Sequence, residues 1–290
     1  MNKLIIFSMI GFLAQLVDGS LGMGFGATSS SLLLMFGIAP AAASASIHMA
    51  EIATTAASGA SHLWFKNVDK RILWRLTIPG AISAFIGAAF LSSLPGDKLK
   101  PFISVFLIVL GLYILIRFLF FNHSSKSQGS PISSKFLTPL GMVGGFFDAV
   151  GGGGWGPITA PVLIAQNGIS PKKVIGTVDT SEFAIAVSAT LGFILFLGVD
   201  QYQWQWVIAF MIGGVIAAPI AAWLVRIVPS YLLGVLVGGF IILTNSMTII
   251  KTVGLPVSLA TLAYSLIIGL WAVAIFYQFK NRKRFVAVHS

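Results

Sequence analysis

Apolar residues in this chain gather in long uncharged runs, at 76–96, 201–225, 227–250 and 252–279. Each run supplies the roughly 20 residues that a helix needs to cross about 30 Å of hydrocarbon. Only helices and closed barrels satisfy their backbone groups in lipid, and no segment alternates apolar and polar residues with period two, so the pattern predicts transmembrane helices. Two other segments, 4–37 and 136–167, are apolar overall but broken near the middle by an aspartate and a glycine cluster. The first break reads Asp18-Gly19-Ser20-Leu21-Gly22-Met23-Gly24-Phe25-Gly26, the second Asp148-Ala149-Val150-Gly151-Gly152-Gly153-Gly154-Trp155-Gly156.

The two breaks belong to an internal repeat. At an offset of 130, Asp18 meets Asp148, Gly22 meets Gly152, Gly24 meets Gly154 and Gly26 meets Gly156. One inserted residue later, Gly37 meets Gly168, Pro40 meets Pro171, Glu51 meets Glu182 and Asp69 meets Asp200. Six of the eight acidic residues fall into three of these matches, which chance explains poorly. Met1-Asn2-Lys3 followed by Leu4–Ala14 looks like a secretory signal, yet this run matches an internal segment and is expected to stay in the folded unit.

Composition agrees with a lipid environment: 57% of the 290 residues are hydrophobic and 9% charged, and the mean hydropathy is +0.94. The net charge of +10 sits in short loops between apolar runs and reads as an orientation signal, not a nucleic-acid surface. If both broken segments cross the membrane, the 18 basic residues divide nine against nine. If both enter and return, 14 share the side of the C-terminal cluster Lys280, Arg282, Lys283 and Arg284, leaving Lys3, Lys98, Lys100 and Lys251 opposite. The positive-inside rule favours the second arrangement.

The expected fold is therefore an all-α polytopic membrane protein of two inverted-topology repeats, each a re-entrant broken-helix hairpin plus three transmembrane helices, with one extra C-terminal helix. Repeat 1 covers 1–121, with the hairpin at 4–37 and spans at 41–65, 72–94 and 99–121. A cytoplasmic linker at 122–135 leads to repeat 2 at 136–250, with the hairpin at 136–167 and spans at 174–199, 205–227 and 230–250. The remainder, 251–290, holds a last span at 255–279 and a basic cytoplasmic tail. Localisation in the inner (plasma) membrane is expected, with the C-terminus cytoplasmic. Trp64, Trp74, Trp204, Trp206, Trp223 and Trp271 fall near predicted span ends and read as an aromatic belt.

Glycines at the breaks allow positive-φ turns and bare the backbone N–H groups that open each returning half-helix, at the positive end of its dipole. Such termini hold anions, so Gly24, Gly26, Gly154 and Gly156, with Ser20 and Trp155 beside them, are candidate substrate contacts. The same glycines would also suit close helix packing. Glu51 lies roughly 15 Å, and Glu182 roughly 12 Å, into their spans on a rise of about 1.5 Å per residue. A carboxylate at that depth is costly unless protonated or partnered, which points to proton coupling through Glu51, Glu182, Asp18, Asp148 and Asp179, or to a neutral hydrogen-bonding role. Around Glu51 a polar helix face carries Ser44, His48, Thr55, Ser58 and His62; His48, three residues before Glu51, is matched in the second half by Asp179. His48 is a candidate to meet substrate charge, and His62, near the basic helix end, is expected at the interface. Asn245, Ser246 and Thr248 read as a packing patch.

The duplicated breaks, the run from Asp148 through Gly156 into Pro157-Ile158-Thr159-Ala160-Pro161-Val162-Leu163, and the three-plus-three-plus-one layout together resemble the TauE/SafE family of sulfite and organosulfonate exporters. The resemblance implies a secondary transporter exporting small sulfur-containing or organic anions, coupled to protons, with the bilayer, protons and a small anion as partners. A cation- or proton-coupled transporter of another small solute is the alternative. An intramembrane enzyme is a third reading with little behind it, since His48 and Glu51 make only half a metal site and the chain has no cysteine. No cofactor, metal or nucleic acid is expected.

Overall fold

The computed structural model describes residues 2–120, 132–166, 169–224 and 230–286; the 122–131 part of the expected linker and Gly168 lie outside them. Among the described residues the regular elements are all helical: α1 (Asn2–Leu21), α2 (Phe25–Met35), α3 (Pro40–Trp64), α4 (Lys70–Ser92), α5 (Gly96–Phe120), α6 (Ser134–Gly151), α7 (Trp155–Ile164), α8 (Pro171–Phe196), α9 (Trp204–Leu224), α10 (Ser230–Val253) and α11 (Val257–Val286), with a short 3₁₀ turn at Val199–Gln201. The boundaries follow local chemistry. Pro40 and Pro171 occupy the first turns of α3 and α8, where a missing N–H costs nothing. Asp69 caps α4 by accepting the N–H groups of Arg71 and Ile72. The glycine breaks end α1 and α6, where Gly22, Gly24, Gly152 and Gly153 all take positive φ.

Seven helices among the described residues are long and apolar enough to cross a membrane, from Leu4–Leu21 to Val257–Lys280. The set differs from the sequence expectation in one exchange. The N-terminal arm of the first break qualifies, whereas α3, at 25 residues long enough to span, carries too many Ser, Thr and His residues. The reason is position, because α3 buries His48, Glu51, Ser58 and His62 against other helices and shows little side chain to lipid. At the other extreme α11 is buried over only 6% of its apolar window, a helix apolar all round as lipid contact requires. Trp64, Trp74, Trp204 and Trp223 are exposed near helix ends, Trp206 is half-buried at the start of α9, and Trp271 departs from the expected belt. Trp206 stacks on Phe7 with centroids 3.7 Å apart, and Trp271, mid-way along α11, donates its indole N–H to Val235 O at 3.0 Å.

Close approaches at small residues fix the packing. Along α1, Phe7 meets Trp206, Gly11 meets Phe210 and Gly19 meets Ala221, so α1 and α9 run parallel. Along α6, Gly141 meets Leu76 and Pro79, Gly145 meets Gly80, and Ala149 meets Gly87, so α6 and α4 run parallel in the same way. The repeat-matched helices α3 and α8 cross the centre antiparallel: His48 lies beside Phe193, Gly59 beside Thr180, and Asn67 beside Gly176. The matched pair α5 and α10 is also antiparallel, with Gly111 against Ile241 and Phe118 against Gly234. Each half thus lends its first broken arm to the other half's second long helix. At one end of the bundle lie Lys66, Lys70, Arg71, Lys135, Lys172 and Lys173; at the other lie Lys98, Lys100 and Lys251.

Candidate functional site

At the centre the two glycine breaks meet backbone to backbone. A Cβ built on Gly26 would lie 2.7 Å from Gly152 O and 2.7 Å from Gly153 Cα, and one on Gly156 would lie 2.3 Å from Gly22 O. Ser30 Oγ donates to Gly152 O at 2.5 Å and Ser44 Oγ to Ala149 O at 2.6 Å, which stitches the first half to the second break. The opening N–H groups of the short helices face carboxylates from their own breaks. Asp148 Oδ1 accepts Gly154 N–H at 2.7 Å and Trp155 N–H at 2.8 Å, while Asp18 Oδ1 accepts Phe25 N–H at a longer 3.3 Å. The positive ends of α2 and α7 are therefore occupied by the protein's own carboxyl groups in this conformation.

The buried acids form two clusters, each combining the break aspartate of one half with the deep pair of the other. In the first, His48 Nδ1 lies 2.8 Å from Glu51 Oε2 and 3.8 Å from Asp148 Oδ2, and the imidazole lies near-parallel to the Phe193 ring with centroids 6.1 Å apart. In the second, Asp18 from α1 joins Asp179 and Glu182 from α8, with one oxygen of each within 4.8 Å of the others. Ser58 Oγ donates to Asp179 Oδ2 at 2.5 Å. The repeat makes the clusters counterparts: Asp148 matches Asp18, Glu51 matches Glu182, and His48 matches Asp179. All six side chains are buried. Glu51 Oε1, Asp148 Oδ2, His48 Nε2, Asp18 Oδ2, Asp179 Oδ1 and Glu182 Oε2 lack a hydrogen-bond partner, an unusual concentration of unsatisfied polar atoms.

His62 corrects the sequence reading. It is fully buried, not interfacial, with Nε2 3.3 Å from Asp179 Oδ2 and 3.1 Å from Gly19 O. Asn67 Nδ2 reaches its other nitrogen at 3.1 Å and also donates to Ala222 O. The signal was present, since His62 follows His48 by 14 residues and so returns to the same helix face after four turns. Also missed were Gln15, buried with both amide atoms unpartnered, and the buried hydroxyl run Thr28-Ser29-Ser30-Ser31 on α2. Ser31 Oγ accepts from Asn245 Nδ2 at 2.6 Å, which ties α10 to the first hairpin.

Other singled-out residues have structural partners. Ser20 Oγ donates to Leu16 O of its own helix at 2.5 Å. Trp155 is fully buried and donates to Val178 O and Ser181 Oγ, with its ring against Gly80 and Gly144.

The family model described as Sulfite exporter TauE/SafE matches residues 7–248, a stretch that contains both breaks and both clusters. Over 278 residues the chain is 57% identical to the "Probable membrane transporter protein YtnM" of Bacillus subtilis (strain 168), covering 96% of this chain and 93% of that protein. The chain belongs to the TauE/SafE family.

Proposed function

We infer that this multi-pass membrane transporter exports small anions of the sulfite and organosulfonate class and couples that export to protons carried by the buried carboxylates. The observation behind this reading is the placement of both acid clusters directly at the two glycine breaks, with Glu51 Oε1 2.9 Å from the Cβ position of Gly26. A substrate anion in the protein interior must replace its lost hydration. The described Lys and Arg residues sit at or near helix ends, which leaves the termini of α2 and α7 as the central sources of positive potential, with His48 beside them. In this reading Gly24, Gly26, Gly154 and Gly156 contact substrate once the breaks separate, and unsatisfied hydroxyls of Thr28 and Ser29 add donors. Ser20 and Trp155 act through position only, since their polar groups are committed elsewhere.

The coupling follows from competition for the same N–H groups. With Asp148 ionised, its carboxylate holds the mouth of α7 and closes the site; protonation weakens those charge-assisted bonds and frees the terminus for a substrate anion. Glu51, Asp18, Asp179 and Glu182 set how many protons the site takes up. The antiparallel course of α3 against α8 supports an inverted-repeat exchange between two faces, with the Lys66–Lys70 end cytoplasmic. Flux of labelled sulfite and sulfoacetate in proteoliposomes under an imposed pH gradient tests the reading. Accumulation that follows the gradient is expected, and flux indifferent to it for every such anion would refute proton coupling.

A further inference from the structure

We propose that Asp18, Asp179 and Glu182 form a binding site for a divalent cation that takes oxygen ligands, a role the first cluster does not share. The inference rests on the reading that these clusters handle ions, the cation binding the second cluster in its deprotonated state and so competing with the protons of the coupling cycle.

The argument begins with the difference between counterparts. Where the first cluster has His48 between Glu51 and Asp148, the second has a third carboxylate, Asp179. With its imidazole protonated, the first cluster carries two negative charges and one positive. The second carries three negative charges when ionised. His62 does not offset them. Asn67 Nδ2 is fixed as a donor by Ala222 O, so the Nδ1 that it reaches on His62 is an acceptor and the proton lies on Nε2, facing Gly19 O and Asp179. An imidazole in that state is neutral and has no lone pair to offer the cluster. A bound divalent ion brings the second cluster to the same net charge, one negative, as the first.

Geometry and unsatisfied atoms agree. Two oxygens on one cation with metal–oxygen distances of about 2.3–2.6 Å stand at most about 4.6–5.2 Å apart, and the three carboxylates offer oxygens within 4.8 Å of one another. Glu182 Oε2, Asp18 Oδ2 and Asp179 Oδ1 are buried without partners. A further buried group without partners lies at the edge of the cluster. The Gln15 amide, unsatisfied at both atoms, has Nε2 3.7 Å from the Cβ position of Gly19, and that position is 3.3 Å from Ser58 Oγ, the donor to Asp179. Its carbonyl is a neutral oxygen ligand of the kind hard cations accept. The counterpart of Gln15 in the first half-site is Gly145, packed against Gly80 O with no room for a side chain, so a side-chain amide stands beside one cluster only.

The test is Mn²⁺ binding to the purified full chain, followed by loss of the free-ion EPR signal, with Ca²⁺ and Na⁺ as competitors. One saturable Mn²⁺ per chain is expected, displaced by Ca²⁺ and not by equal Na⁺, and weakened at least tenfold in Glu182→Gln and in Asp179→Asn. Gln15→Leu, which removes a ligand without leaving a charge, should weaken binding several-fold, and Glu51→Gln should leave it within twofold. No saturable binding, binding insensitive to Glu182, Asp179 and Gln15, or equal loss in Glu51→Gln would each overturn the assignment. If pH-driven anion flux persists while Mn²⁺ fails to bind, only this inference falls; if Mn²⁺ binds and no anion is moved, only the transport reading does.

Discussion

Asp148 holds the N–H of Trp155 at 2.8 Å, across a break of six residues, and the neighbouring Gly154 N–H at 2.7 Å with the same oxygen. One carboxylate thus closes the turn and fills the positive end of α7. The matched aspartate in the first half, Asp18, has only Phe25 N–H, at 3.3 Å. Two tight charge-assisted bonds against one long one predict unequal costs. A hydrogen bond to a charged group contributes about 1.5–3 kcal/mol, so Asp148→Ala should destabilise the protein by about 3 kcal/mol or more and Asp18→Ala by about half that or less. Thermal unfolding in detergent, scored against wild type, checks the ranking; equal losses would mean that neither break depends on its aspartate.

The glycines at the breaks lack side chains for a steric reason. Even a methyl group on Gly26 would meet Gly152 O, Gly153 Cα and Glu51 Oε1 within 3.0 Å, and on Gly156 it would meet Gly22 O and Met23 Cα. Backbone cannot yield cheaply, so Gly26→Ala and Gly156→Ala should each cost at least about 1–3 kcal/mol, the usual range for overpacking. Gly269→Ala, with nothing within 4 Å of its Cβ position, should be neutral. Melting temperatures of the three variants decide the matter: a neutral Gly26→Ala would contradict the close approach of the two breaks.

The helical class and the deep acids were legible because lipid imposes long apolar runs and makes each buried charge conspicuous. Glu51 and His48 were placed together correctly by their spacing of three residues on one helix. What joined the second cluster was not legible. Asp18 and Asp179 come from different halves, 161 residues apart in sequence, and their meeting depends on the approach of α1 to α8. His62 was misplaced because proximity to a basic loop argued for an interface, while the burial of its helix end under α1 and α9 is a tertiary effect. Trp271 already lay well inside the expected span 255–279, and its indole N–H is satisfied by Val235 O of α10 instead of by an interface.

Basic residues separate by helix end, and the absence of cysteine makes that arrangement directly testable. Single cysteines at positions 70, 135 and 172 should react with an impermeant maleimide only from the cytoplasmic face, and those at 100 and 251 only from outside. Labelling of 70 and 172 from opposite faces would break the inverted arrangement of the two halves.

The central claim, that buried carboxylates make anion movement depend on protons, is tested most directly by Glu51→Gln in proteoliposomes. The amide keeps the shape and can still hydrogen-bond to His48, but it can neither take up nor release a proton with the substrate. Sulfite or sulfonate exchange at equal pH on both sides should persist within about tenfold of wild type, while accumulation driven by an imposed pH gradient should be lost. If Glu51→Gln accumulates anion down the gradient with the wild-type dependence on pH, the carboxylate is structural and the coupling account is contradicted.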